Sequence, residues 1–228
     1  MKAVLTDIEG TTTPISFAHD ILFPLSYRRI EEFVRCNTHL LRPEMESVKR
    51  EIGKPPQEIT LSEVIATLKT WIEQDKKETT LKTIQGKIWK ENFLSGALKG
   101  QIYRDVLGAF EKWQRSGILI AIFSSGSIEA QQLIFRYSEL GDLTKYIAAF
   151  FDTTTGPKRE SQSYAAIAQK LQSQPADVLF LSDVVPELDA ARAAGMKTTL
   201  LLREGAVAGA ENSHPTAKNF TEISIDQK

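Results

Sequence analysis

The sequence predicts an α/β protein: a parallel sheet with helices on both faces, and an all-helical cap inserted after the first strand. Three observations predict it. A short apolar run, Ala3 to Leu5, leads straight into Asp7, Glu9 and Gly10, as a buried strand ending in a turn does. The second half alternates apolar runs with amphipathic stretches, the order that builds a parallel sheet. Between the two, residues 16–95 keep a helical period and carry no strand signal. The expected division is therefore 1–15 with 96–228 as the α/β core and 16–95 as the helical cap. At 228 residues, 42% of them apolar, the chain can bury a core and still carry such an insert.

Each element has its own signal. Phe17, Ile21 and Leu25, then Ile30, Phe33 and Val34, mark a helix that Pro24 kinks or splits. Pro43 opens the next helix and Gly53 closes it. Thr60 and Glu63 form a capping box ahead of the stripe Leu61, Val64, Ile65, Leu68, Trp71 and Ile72. A further helix spans 81–93. In the core, Ile102, Val106, Phe110 and Trp113 mark a helix that stops near Gly117. Strands are expected at 118–123, 147–151, 178–181 and 198–202, and helices at 128–137, 161–172 and 186–194. The tail beyond Arg203 is rich in glycine, alanine and polar residues and gives no clear element.

Composition excludes several classes. Lysine plus arginine (28) nearly balances aspartate plus glutamate (29), which argues against nucleic acid or an anionic membrane as partner. Cys36 is the only cysteine, so the chain has no internal disulfide and no thiolate zinc site. The amino terminus has no apolar signal core, and the longest apolar run, Ile118 to Phe123, is too short to span a bilayer. A soluble cytoplasmic protein is expected. His19, His39 and His214 show no ligand spacing, and His39 and His214 are expected at the surface.

The candidate chemistry lies at four strand ends. They carry Asp7 and Glu9; Ser124 and Ser125; Asp152 followed by Gly156, Pro157 and Lys158; and Ser182 and Asp183. In a parallel sheet such ends share one edge, where α/β proteins bind ligands. An acid after a strand is often only a turn former or cap, but four matched ends make a set. Asp7 and Asp183 can share a magnesium ion, which takes a few carboxylates plus phosphate oxygens and water. Lys158, Ser124 and Ser125 can hold phosphate oxygens. Asp7 can attack phosphorus, and Glu9 can protonate the leaving oxygen and then activate water. Glu187 has two readings, an acid orienting the metal shell or a first-turn acid on the helix dipole.

The set resembles the haloacid-dehalogenase superfamily of phosphatases, with Asp7-Ile-Glu9, Ser124, Lys158 and Asp183 on its four motifs. Glu9 departs from the aspartate usual there. Within that superfamily the runs Asp7 to Ile15, Asp20 to Pro24, Ile84 to Trp89, Ser124 to Gln131 and Phe151 to Thr153 are similar to the enolase-phosphatases of methionine salvage, the acireductone synthases. The likeness runs from residue 3 to about residue 205. It implies a Rossmann-like core, a magnesium-dependent monomer, and a small phosphorylated diketone as partner. The implied reaction turns 2,3-diketo-5-methylthiopentyl-1-phosphate into 1,2-dihydroxy-3-keto-5-methylthiopentene (the acireductone) and phosphate, by enolisation and then phosphatase chemistry. It implies further that Asp7 and Asp183 hold magnesium by side chain and Glu9 by its main-chain carbonyl, with Ser124, Ser125 and Lys158 on the substrate. The insert is expected to act as a lid. Two other readings stand beside this one: a capped phosphatase or phosphomutase for sugar phosphates, and a non-catalytic phospho-receiver module.

Overall fold

The computed structural model describes residues 1–76, 78–203 and 213–225. The chain forms two compact units, one of residues Met1–Ile15 and Lys99–Lys228, the other of Ser16–Leu98.

The second unit is helical, with no strand among its described residues. It opens with a π-helix, Phe17–Leu22, that runs directly into α1, Phe23–Cys36. The sequence expects one interrupted helix here, and the interruption is a change of helix type. Pro24 at the start of α1 has no amide to carry a hydrogen-bond register across the junction. At the junction the Leu22 carbonyl accepts from the Trp89 indole (3.1 Å) and the Ser26 hydroxyl (3.0 Å). Next comes α2, Arg42–Ile52, with Pro43 in its first turn and Gly53 left-handed at its end (φ 76°), as expected. The capping box forms as read: the Thr60 hydroxyl accepts from the Glu63 amide (3.2 Å), and the Glu63 carboxylate accepts from the Thr60 amide (2.8 Å). It opens α3, Leu61–Glu73, which buries Val64, Leu68 and Trp71. The last helix of the unit, α4, spans Thr79–Leu94 and starts two residues ahead of its apolar signal.

The first unit is a six-stranded sheet. Its strands are β1 (Ala3–Thr6), β2 (Leu119–Phe123), β3 (Ala149–Phe151), β4 (Val178–Ser182), β5 (Lys197–Leu201) and β6 (Thr216–Ala217). Their order is β3-β2-β1-β4-β5-β6, and every pair is parallel. Leu5 of β1 sits opposite Ala121 of β2 and Phe180 of β4, so the three central strands end together. Helices α5 (Arg104–Arg115), α6 (Ile128–Arg136), α7 (Ser161–Lys170) and α8 (Val185–Ala193) complete the unit. β1 is buried along its whole length, which explains its unalternating apolar run. One cluster around Leu5, Phe123, Tyr164 and Phe180 fills one face of the sheet.

The tail departs from expectation. Residues 204–212 lie outside the described residues, but the chain then pairs as β6 and places Phe220 against Trp113 and Phe110, with ring centres 5.5 and 6.3 Å apart. His214, expected at the surface, is buried. Its Nδ1 lies 2.8 Å from the Thr198 hydroxyl and its Nε2 3.1 Å from Asp189. No described helix is long and apolar enough to cross a membrane.

Candidate active site

Asp7 is the first residue past β1, and its amide still donates to the Leu181 carbonyl of β4 (2.9 Å). The chain then closes a tight turn in which the amides of Thr11, Thr12 and Thr13 all point to the Ile8 carbonyl, at 3.1, 2.9 and 2.9 Å. Gly10 is left-handed there (φ 72°), and a Cβ on it would lie 2.1 Å from an Asp183 oxygen. Glycine is therefore required twice over, for its backbone and for the close approach of Asp183.

The buried Asp7 carboxylate accepts from the Ile8 amide (2.7 Å), the Lys158 ammonium (2.8 Å) and, at 3.3 Å, the Ser182 hydroxyl. Lys158 also contacts Glu187 at 2.7 Å. Burial works against its charge, but Asp7 and Glu187 together outweigh burial and lift it above the ordinary lysine range. Its loop is braced from α7: Tyr164 donates to the Lys158 carbonyl and Ser163 to that of Pro157, both at 2.7 Å.

Ser124, just past β2, is buried and donates to the Glu9 carboxylate at 3.3 Å. Its hydroxyl also accepts from the Gly126 amide (3.2 Å). Gln131 of α6 holds this loop through the Gly126 and Phe151 carbonyls, at 2.7 and 2.9 Å. Ser125 is exposed at the tip of the same turn. Past β4, the Asp183 amide donates to the Thr11 hydroxyl (3.1 Å), which reaches the Asp183 carboxylate at 3.4 Å. The structure thus brings Asp7, Glu9, Ser124, Lys158 and Asp183 to one sheet edge.

Electrostatics follow from four carboxylates, of Asp7, Glu9, Asp183 and Glu187, around one ammonium. Burial, then the charge of Asp7, raises Glu9 above the carboxylate range. The same two causes push Asp183 up to about 6 and Glu187 up to about 7. Such an excess of negative oxygen suits a hard divalent cation. Among the described residues no group of three or more His, Cys, Asp or Glu is arranged to hold a metal. A cation here therefore needs a main-chain oxygen beside two carboxylates.

Several contacts that support the site have no signal in the sequence, although Ser182 itself stands among the strand-end groups. Ser182 bridges Asp7 and Glu187, Thr11 holds Asp183, and Tyr164 and Gln131 brace the lysine and serine loops. Glu187, expected either to orient the metal shell or to sit on the helix dipole, lies in the first turn of α8 and contacts Lys158 at 2.7 Å.

The haloacid dehalogenase-like hydrolase family model matches residues 1–195. An enolase-phosphatase E1 of Sorangium cellulosum (strain So ce56) is 51% identical, over 97% of this chain and 97% of its own. The chain belongs to the enolase-phosphatase E1 family of haloacid dehalogenase-like hydrolases. An enolase-phosphatase E1 of Pseudomonas aeruginosa (strain LESB58) is 46% identical, over 99% of both chains. The crystal structure of the UTR4 protein of Saccharomyces cerevisiae superposes with a TM-score of 0.79 at 30% identity, covering 97% of this chain and 99% of that one. Enolase-phosphatase membership excludes the receiver-module reading.

Proposed function

We propose that this protein enolises 2,3-diketo-5-methylthiopentyl-1-phosphate and then removes its phosphate, giving the acireductone of methionine salvage. The observation that carries the reading is the Asp7 carboxylate, held by the Lys158 ammonium at 2.8 Å with Glu9, Ser124 and Asp183 around it. Asp7 is oriented by the Ile8 amide on one carboxylate oxygen and by the Lys158 ammonium on the other, which positions it as a nucleophile. Its oxygen forms a bond to phosphorus while the bond from phosphorus to the substrate oxygen breaks. Glu9, whose protonated form is favoured by burial and then by the charge of Asp7, gives its proton to that leaving oxygen. Glu9 then takes a proton from water as the water displaces Asp7 and releases phosphate. Lys158, Ser124 and Ser125 hold the phosphoryl oxygens through this exchange.

Magnesium fits the donor chemistry: Asp7 and Asp183 by side chain and Glu9 by its main-chain oxygen, all hard ligands in a site with surplus negative charge. When bound it neutralises charge that develops on the phosphoryl group and on the enolate. The substrate is a small phosphorylated diketone, and the working unit is a cytoplasmic monomer.

The test is release of phosphate and appearance of acireductone absorbance from the diketone phosphate with magnesium, beside a panel of hexose phosphates. Asp7→Asn keeps the circular dichroism of the parent and lowers phosphate release by roughly a thousand-fold or more. Normal release from that variant, or faster turnover of a hexose phosphate, contradicts the reading.

A further inference from the structure

We infer that Arg203 is a positioning residue for the Asp183 carboxylate, acting through Thr11; the inference rests on reading Asp183 as a metal-holding acid. Arg203 follows β5 and is buried, with its guanidinium 4.0 Å from the Tyr103 ring centre and 5.2 Å from that of Phe220. Its Nη1 pairs with Asp105 at 2.8 Å, which answers its charge. Its Nε and Nη2 both donate to one neutral acceptor, the Thr11 carbonyl, at 2.9 and 2.6 Å. A buried cation is costly, and charge balance alone needs only the carboxylate. The fork therefore fixes a main-chain point in the turn that follows the nucleophile.

Thr11 passes that fix on. Its amide is tied to the Ile8 carbonyl, its carbonyl to Arg203, and its hydroxyl to both the amide and the carboxylate of Asp183. Asp183 is hemmed on its other side by Gly10. Arg203 reaches neither Asp183 nor the reacting atoms, so its effect on the acid runs through the threonine. Asp105 also accepts from the Phe220 amide (2.7 Å), so losing the arginine lowers stability as well. Stability alone does not distinguish the two roles; metal affinity does.

The experiment titrates magnesium chloride alone, by calorimetry, into the metal-free full chain. Arg203→Lys keeps a charge for Asp105 but cannot fork onto a carbonyl. Thr11→Val removes the hydroxyl and leaves the fork in place. Each is expected to weaken magnesium about ten-fold, and the double variant to match Thr11→Val within about two-fold, because the two act in series. Thr11→Ser restores wild-type affinity. Arg203→Lys melting lower with unchanged affinity, Thr11→Val binding like wild type, or two losses that multiply would each overturn the inference. If the wild-type protein binds no magnesium, the metal reading fails, and this inference with it.

Discussion

Glu187→Gln isolates one charge of the site and gives a pH dependence that the structure sets in advance. Glu187 is buried, receives hydrogen bonds from Lys158 (2.7 Å) and Ser182 (3.3 Å), and is pushed from 4.5 to about 7 by burial and by Asp7. A glutamine keeps an oxygen for both donors and carries no charge. Below pH 4.5 Glu187 is protonated in folded and unfolded chains alike. Between 4.5 and about 7 the folded protein binds the extra proton, so its stability falls as pH rises. Above about 7 the carboxylate is ionised in both states and the full penalty stands. That interval, at about 1.4 kcal/mol per pH unit, amounts to about 3 kcal/mol. Urea unfolding with chelator present, at steps from pH 4.5 to 8, measures it. Wild type is expected to lose about 3 kcal/mol relative to Glu187→Gln across the range. Parallel curves, or a wild type that gains on the variant as pH rises, would refute the reasoning.

Two further outcomes follow from local geometry. Gly10→Ala combines left-handed backbone strain, about 1–2 kcal/mol, with a methyl 2.1 Å from an Asp183 oxygen. It is expected to lower both the melting temperature and magnesium affinity, and unchanged affinity would show that Asp183 is not held against this turn. Glu63 is lowered to about 2 by the Lys54 ammonium and then by the Thr60 amide. Its charge-dependent contribution to α3 is present above pH 4.5 and lost as pH falls through 2, so helix ellipticity of wild type and Glu63→Gln, which keeps the capping box, should converge in acid; a constant gap would contradict a role for the Glu63 charge.

What the sequence made legible were features carried by adjacent residues. Each strand end shows a short apolar run meeting a polar group; Asp7, Ser124 and Asp183 announce themselves that way, and Lys158 follows Gly156 and Pro157 in the loop beyond Asp152. The capping box is likewise local. Contacts between distant positions have no such signature. Arg203 meets Thr11 across the sheet, and Ser182 meets Asp7 only because β1 and β4 pair in register. β6 is two residues long, too short for any periodicity, and forms because β5 offers it an edge. His214 has no neighbouring ligand pattern, so nothing near it in the chain signals that Thr198 and Asp189 enclose it. Pro24 signals a break in a helix but not the π-turns that precede it.

In the proposed reaction the phosphoryl group passes through Asp7. Rapid acid quench within one turnover of the diketone phosphate, followed by tandem mass spectrometry of the amino-terminal peptide, tests it most directly. A phosphoryl group on Asp7 that forms and decays at the rate of turnover is the predicted result. Turnover with no phosphorylated enzyme at any quench time, or a phosphoryl group on Glu9 or Asp183 instead, would contradict it.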